Sequence, residues 1–189
     1  MAKAQSPRRK AKQARAQATI EAIFGATAQI LETEGEGRLT TNRIAEVAGV
    51  SIGSLYQYFA DKQAILVAMA QAENENTRAK LKAGLVEGEI SPARLLIRIQ
   101  IGILKDKPAT RRAALRAILD AESAAAIAAE GRATAALLPR EGTPRGLDGF
   151  VLSRAIGGAI RAAVLEDSPF LHTPEFEDAL VRLAEAYGA

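Results

Sequence analysis

The sequence predicts an all-α protein in which a small N-terminal module precedes a larger helical domain. Helix-forming residues such as Ala, Leu, Glu and Arg dominate, whereas aromatic residues make up only 4% of the chain. Apolar residues recur at three- and four-residue spacing in most segments, as on one face of a helix. Residues that cap helices stand before these segments, namely Thr40, Ser51, Asp61, Ser91 and Thr173.

The first 62 residues divide into an arm and three helices. Residues 1–14 are predicted to form a flexible basic arm. Residues 15–34 carry apolar side chains at helical spacing, and two glycines then end this first helix. Two short helices are predicted over about 41–48 and 52–59, with Gly49 between them. Together, residues 15–62 have the length of a three-helix helix-turn-helix module and carry glycines where its helices should end.

Residues 63–189 are predicted to form the second, helical domain, which the fourth helix joins to the first. Within it, four isoleucines at 97, 99, 101 and 103 alternate with polar residues or glycine, which by period alone indicates a strand. A lone strand would have no partner in this chain, so we expect a helix that starts at Pro92. Further helices are predicted over about 108–138 and 148–165 and after Pro174, with a loop over 139–149.

Charge is concentrated at the start of the chain. Residues 1–62 hold nine Lys or Arg and six Asp or Glu, whereas the remaining residues hold sixteen of each. Six basic residues precede the first acid, Glu21: Lys3, Arg8, Arg9, Lys10, Lys12 and Arg15. Such a block is typical either of a site that binds a polyanion or of a solvated tail.

Several classes of protein are excluded or disfavoured. The chain has no cysteine and a single histidine, His172, so we expect no metal site, no disulfide and no catalytic triad. No phosphate-binding glycine loop is present, and we predict neither an enzyme nor a cofactor. No apolar run approaches the length of a membrane span, and a secretion signal is missing. The sequence therefore predicts a soluble, cytoplasmic protein.

The segment from Thr41 to Lys62 contains the residues that could bind a partner molecule. Its central glycine suits the left-handed turn of a helix-turn-helix, and Leu55 and Phe59 lie four residues apart on one face of the second short helix. Hydroxyl groups on the other face could reach phosphates, and a glutamine amide could pair with an adenine edge. Spacing alone leaves an ordinary surface pair of helices open as well, because tyrosines often straddle a surface.

LTTNRIAEVAGVSIGSLYQYFADKQAIL, residues 39–66, closely resembles the signature of the TetR family of transcriptional regulators. The resemblance covers residues of about 15–66, including the AGVS turn, the GSLYQYF helix and Lys62, and departs at Ala60, where proline is frequent. It implies a homodimeric, ligand-responsive repressor that binds a palindromic DNA operator and is released by a small molecule. The alternative is an architectural DNA-binding protein that has neither sequence preference nor effector.

The resemblance also implies roles for single residues. Phosphate contacts are expected from Thr41, Ser51, Tyr56, Tyr58 and Lys62. Base readout is expected from Gln57, together with Asn42, Gly53 and Ser54. Ile52 is ambiguous, because periodicity places it inward whereas some relatives use that position in the DNA groove.

The last two helices are the predicted dimer interface, although they could also simply pack within one chain. The candidate interface residues are Phe150, Arg154, Gly157, Gly158, Arg161, Phe176, Leu180, Leu183 and Tyr187. Glu177, Asp178 or Glu185 could then pair with the arginines. A pocket for a hydrophobic or amphipathic effector is predicted around Gln100, Glu122 and Ser123, each of which could instead be a satisfied structural polar group. His172 is expected to be a surface or packing residue.

Overall fold

A computed structural model describes residues 7–88, 90–121, 131–132 and 145–186. This described part is helical and contains no strand, which confirms the predicted all-α class. Eight α-helices have both ends within it: α1 Pro7–Thr33, α2 Thr41–Ala48, α3 Ile52–Tyr56, α4 Lys62–Glu87, α5 Pro92–Lys105, α6 Pro108–Ala121, α7 Gly146–Leu165 and α8 Pro174–Ala186. Two short 3₁₀ turns, Glu36–Arg38 and Pro169–His172, precede α2 and α8.

The chain divides into two compact units, Met1–Met69 and Ala70–Ala189. In the first unit α1 packs against α2, and α2 packs against α3. Its core is formed by fully buried side chains from the three helices, from the loop before α2 and from the start of α4, namely Ile23, Ile30, Leu39, Ile44, Leu55 and Ile65. Burying aliphatic side chains of this size is the main source of stability for helices too short to persist alone.

The first helix begins earlier than the sequence predicts. α1 starts at Pro7, so residues 7–14 are helical and do not form the flexible arm predicted over 1–14. The physical reason is local propensity, because Ala, Lys, Gln and Arg are strong helix formers and proline is well tolerated at the first helical position. The prediction relied on apolar periodicity, which starts only near residue 16.

The third helix is shorter than the predicted 52–59. α3 ends at Tyr56, with Gln57 as its C-terminal cap, and a turn containing Tyr58 leads on to Phe59. Phe59 nevertheless donates its backbone N–H to the carbonyl of Leu55 over 3.0 Å, so the helical path continues through this turn. The side chains expected on the second short helix thus come from α3 and from the turn that follows it.

The core of the second unit is formed by α5, α7 and α8. α5 and α7 both pack against α8, and α6 packs against α7. The buried residues that meet there are Ile97, Ile101, Leu152, Ile160, Leu180, Val181 and Ala184. Ile97 and Ile101 lie four residues apart on one face of α5, which confirms a helix over the stretch whose alternation resembled a strand.

Ion pairs join α5 to α8 on the edge of this core. Arg94 lies 2.8 Å from Asp178 and 3.2 Å from Glu177, and Arg98 lies 2.9 Å from Glu177. The hydrogen bond to Asp178, followed by the attraction of both carboxylates, raises the pKa of Arg94. Glu177 and Asp178 are therefore engaged within the chain, and their pairing with arginines across a dimer stays a prediction.

Other boundaries differ from the sequence expectation by a few residues. α4 continues to Glu87 rather than to about Lys82, and α7 begins at Gly146, inside the predicted loop. Gly146 has a φ of 62°, a left-handed conformation that glycine adopts without strain. Of the predicted helix over 108–138, α6 accounts for Pro108–Ala121. Most of its remainder lies outside the described residues.

Candidate nucleic-acid interface

Capping residues set the angle between α2 and α3. The hydroxyl of Thr40 accepts the backbone N–H of Arg43 over 3.2 Å at the start of α2. Gly49 ends α2 in the left-handed region, at φ 67° and ψ 28°, where a residue with a Cβ would be strained. The hydroxyl of Ser51 then accepts the backbone N–H of Ser54 over 3.0 Å and starts α3. Local sequence thus specifies a helix, a sharp turn and a second helix, as predicted.

Two apolar side chains fix which face of α3 points outward. Leu55 is fully buried, and Phe59 is buried with its ring centroid 5.9 Å from that of Phe24 on α1. With these side chains in the core, Tyr56 and Tyr58 remain 52% and 38% exposed. Both tyrosine hydroxyl groups can therefore reach a partner outside the protein.

An arginine of α2 joins this helix to the end of α1. Arg43 lies 2.8 Å from Glu34, to which its Nε also donates over 3.2 Å, and it lies 2.9 Å from Glu46 on its own helix. The hydrogen bond from Arg43 holds the pKa of Glu34 below its ordinary value, and the hydrogen bond to Glu34 raises the pKa of Arg43. This pair connects α2 to the turn that follows α1. It was not foreseen, because two residues nine positions apart, one in a turn and one in a helix, give no sequence signal of their contact.

The structure brings two of the predicted phosphate contacts together. The hydroxyls of Thr41 and Tyr56 lie 3.1 Å apart, which joins the first residue of α2 to the last residue of α3. Thr41 is half-buried and Tyr56 is exposed, so the shared hydrogen bond lies at the surface. Either oxygen can donate to the other, and the remaining hydroxyl hydrogen is then available to an acceptor outside the protein.

The remaining predicted contacts lie on or beside the same two helices. Asn42, Ser51, Gly53, Gln57 and Tyr58 are exposed, and Ser54 is half-buried. The hydroxyls of Ser51 and Ser54 lie 2.8 Å apart. A Cβ placed on Gly53 would meet only the Ser51 hydroxyl, at 3.9 Å, so the backbone there is open to a close approach from outside. None of these positions is occupied by core packing, and their individual roles stay predictions.

Lys62 supplies positive charge at the start of α4. It is exposed, and its ammonium group donates to the backbone carbonyl of Leu39 over 3.3 Å, which uses one of its three hydrogens. Asp61 caps the helix by accepting the backbone N–H of Ala64 over 2.8 Å. The lysine is thus held in place while two of its hydrogens can still reach a phosphate.

Ile52 lies outward. It is 38% exposed, so the burial that periodicity indicated is wrong and the position belongs to the surface. An exposed isoleucine beside polar side chains can contact an apolar group such as a thymine methyl.

The predicted dimer helices have different environments. On α7 Phe150 is 59% exposed, and Arg154 lies over its ring at 5.5 Å. The Nε of Arg154 is buried and has no hydrogen-bond partner among the described residues. Burial, followed by repulsion from Arg154, lowers the pKa of Arg161. This face therefore carries two arginines, an exposed aromatic ring, and Gly157 and Gly158 between them.

On α8 the apolar stripe packs inside its own chain. Leu180 belongs to the core with α5 and α7, and Phe176 and Leu183 pack against that core. The expectation that this stripe faces a partner is therefore wrong for Leu180, because helical periodicity identifies an apolar face but not what covers it. Tyr187 lies outside the described residues.

Two concavities in the described part of the second unit have volumes of a few hundred Å³. The larger, about 330 Å³, is lined by residues of α4 and α5 together with Asp106 and Arg111. The smaller, about 250 Å³, is lined in part by Leu104, Arg112 and His172. Gln100 is half-buried on α5 and is not among the residues that line either concavity, and the predicted pocket residues Glu122 and Ser123 lie outside the described residues.

Comparison with known proteins agrees with this geometry. Residues 23–69 match the family model of bacterial regulatory proteins of the tetR family. They include the second part of α1, all of α2 and α3, and the start of α4. A TetR-family transcriptional regulator from Streptomyces coelicolor superposes with a TM-score of 0.63 at 18% identity, over 89% of this chain and 96% of that one. No curated protein matches the chain in sequence at a significant level.

Two further solved structures share the fold. The fatty acid degradation regulator FadR from Bacillus halodurans has a TM-score of 0.61 at 16% identity, over 99% of this chain and 97% of that one. The multidrug binding protein EbrR, solved in complex with imidazole, has a TM-score of 0.57 at 21% identity, over 87% of this chain and 93% of that one. At such identities the likeness establishes the fold and not the ligand.

Residues 23–69 therefore form a helix-turn-helix module of the kind found in bacterial regulatory proteins of the tetR family. The resemblance noted in the sequence is confirmed: the N-terminal module is that of the TetR family, and the chain has the TetR-family fold. Among the described helices, none combines the length and apolar character that a membrane span requires.

Proposed function

We propose that the protein is a cytoplasmic, ligand-responsive repressor that binds a palindromic operator as a homodimer. The observation that supports it most directly is the exposed polar surface of α3 and the following turn. There Tyr56, Gln57 and Tyr58 face outward because Leu55 and Phe59 occupy the core. A helix of this kind enters the major groove and presents its outward side chains to base edges and phosphates.

Some of these side chains contribute affinity for any DNA, and others recognise the base sequence. The hydroxyls of Thr41, Tyr56 and Tyr58 and the ammonium group of Lys62 donate hydrogen bonds to phosphate oxygens, which positions the module without reading sequence. Gln57 offers an amide that can donate and accept at once, a pattern that matches N6 and N7 of adenine. Asn42, Gly53 and Ser54 complete the surface that approaches the bases.

Reading a palindrome requires two modules about 34–36 Å apart, so the protein must dimerise. The exposed face of α7 supports this step: Leu147 is 76% exposed and Phe150 is 59% exposed, and a Cβ on Gly158 would meet no atom of the described residues within 4 Å. A second helix can therefore approach the backbone closely there. Glu185, exposed near the end of α8, is the remaining acid of the three predicted to pair with Arg154 and Arg161.

An effector would act by favouring a dimer geometry in which the two recognition helices no longer match the operator. Only a ligand with different affinities for the two geometries can shift their populations. The larger concavity combines the apolar side chains of Ile99 and Ile103 with the charged groups of Lys80 and Asp106. This lining supports an amphipathic small molecule. Binding of small molecules by a protein of the same fold, EbrR, is consistent with the proposal.

Selection of genomic fragments with the purified protein, followed by footprinting, tests the proposal. A two-fold symmetric footprint is expected. Gln57→Ala should reduce discrimination between the selected site and random DNA by about 1–3 kcal/mol, the usual contribution of one bidentate base contact. Tyr58→Phe is the matched control, because it should weaken binding to both duplexes equally. Equal affinity of the wild-type protein for every duplex would instead favour an architectural DNA-binding protein.

A further inference from the structure

The N-terminal third of α1 extends beyond the core of the first unit. Residues 11–15 are all exposed, and from residue 11 onward the first buried side chain of the helix is that of Ile23. Counted from Pro7 to Arg15, the nine residues extend about 13 Å at 1.5 Å per residue. This segment, which we name the basic extension, is helical although no described side chain in it is buried.

The charge of the basic extension has a single sign. Lys12 and Arg15 are exposed, and the sequence places Arg8, Arg9 and Lys10 in the same helix, with no acid before Glu21. Like charges three and four residues apart on a helix repel each other and weaken it. The charges therefore do not serve the stability of the helix itself, and a polyanion would remove the repulsion.

The extension is also continuous with the module that carries the α2–α3 surface, because α1 runs unbroken from Pro7 to Thr33 and packs against α2. A rigid helix holds its cations at a fixed position relative to that surface, which a flexible tail would not do. The polyanion present whenever that surface is occupied is the duplex itself.

We propose that the basic extension is a second DNA contact, in which Lys12 and Arg15 bind backbone phosphates outside the bases read by α3. The inference rests on the proposed function, because it assumes that α3 binds DNA. Contacts of this kind add affinity by releasing condensed counterions, and they do not depend on base sequence. The extension thus raises the affinity for all DNA and leaves the preference for one site unchanged.

The test compares the double variant Lys12→Gln/Arg15→Gln with Lys82→Gln/Arg182→Gln, a matched loss of one exposed lysine and one exposed arginine in the second unit. Glutamine keeps the helix propensity of both positions. Affinity for the selected site and for a random duplex is measured between 0.05 and 0.5 M KCl. Loss of two phosphate contacts should lower the slope of log K against log salt by about 1.8, or about eightfold per contact at 0.1 M.

The proposal is supported if the slope falls for both duplexes while their affinity ratio is unchanged, and if Lys12→Arg/Arg15→Lys restores the slope. It is overturned if the slope of the Lys12/Arg15 variant equals that of the Lys82/Arg182 control. It is also overturned if the variant loses binding only to vesicles of phosphatidylserine and phosphatidylcholine. Failure of the proposed function is distinguishable, because the wild-type protein would then show no preference between the duplexes whatever its slope.

Discussion

The hydroxyl oxygens of Thr41 and Tyr56 lie 3.1 Å apart, so the first residue of α2 and the last residue of α3 share a hydrogen bond at the surface. The contact joins two helices whose angle is otherwise set by the Gly49 turn and by Leu55 in the core. Two predicted phosphate ligands thus form one unit, in which each hydroxyl positions the other.

Removing either hydroxyl should therefore weaken DNA binding through the same unit. Tyr56→Phe and Thr41→Val are each expected to cost about 0.5–1.5 kcal/mol, or about 2- to 13-fold in affinity, for the selected site and for random DNA alike. In the double variant the loss should be close to that of the larger single change. Fluorescence anisotropy with labelled duplexes measures all four proteins, and losses that simply add would show that the two hydroxyls act independently.

Gly53 provides a sharper test of close approach to DNA. Its backbone does not need glycine, since its φ is not in the left-handed region and an added Cβ meets only Ser51 Oγ at 3.9 Å. Gly53→Ala should thus keep the free energy of unfolding or raise it by up to about 1 kcal/mol. A methyl group pressed against DNA should nevertheless lower affinity by roughly 1–3 kcal/mol, as overpacking does elsewhere.

Gly49→Ala is the matched control for that experiment. At φ 67° an alanine is strained, so this variant should lose about 1–2 kcal/mol of stability. Unfolding by urea, followed by circular dichroism, separates the two variants. A stable Gly53→Ala protein with unchanged affinity for the selected site would contradict a close approach of DNA at this position.

The pair of Glu34 and Arg43 predicts how the first unit responds to acid. Arg43 lowers the pKa of Glu34, so the carboxylate contributes stability above its ordinary value of 4.5, and this contribution is lost as the pH falls through the lowered pKa. Glu34→Gln should therefore be less stable than the wild type at pH 7, and the difference should shrink by pH 3. Tyrosine fluorescence during urea unfolding is a suitable signal, because two of the three tyrosines lie in the first unit.

If the stability difference between Glu34→Gln and the wild type is the same at pH 7 and at pH 3, the charge of Glu34 has no role in stability. Glu36→Gln, a neighbouring exposed carboxylate in the 3₁₀ turn, tests whether any loss of negative charge near α2 has the same effect.

Local signals in the sequence were sufficient to predict most helix ends and turns of the first unit. Thr40, Gly49 and Ser51 each specify a cap or a turn through their own chemistry, and α2 has the predicted bounds 41–48. The start of α1 was missed because a basic, alanine-rich stretch has high helix propensity but no apolar period. The Thr41–Tyr56 and Arg43–Glu34 contacts could not be predicted, because they depend on how separate helices pack.

The second unit was less predictable for a related reason. The stripe of Phe176, Leu180 and Leu183 was correctly recognised as apolar, but an apolar face packs equally well on its own chain or on a partner. The structure places Leu180 in the core with α5 and α7. Arg94 and Arg98 compete for the carboxylates that were expected to cross an interface, and this competition is visible only once α5 and α8 are side by side.

The exposed face of α7 gives the last prediction, which concerns dimerisation. Gly158→Leu should leave the isolated chain folded, because an added Cβ meets no atom of the described residues within 4 Å and leucine favours a helix more than glycine does. If a second α7 approaches that backbone, the leucine prevents close packing and weakens the dimer by about 10- to 100-fold, or about 1.4–2.7 kcal/mol. Sedimentation equilibrium measures the dimer dissociation constant. Gly25→Leu changes an exposed glycine of α1 that also has no described neighbour within 4 Å of an added Cβ, and it should leave the dissociation constant unchanged. A Gly158→Leu protein that dimerises as tightly as the wild type would exclude this face of α7 from the interface.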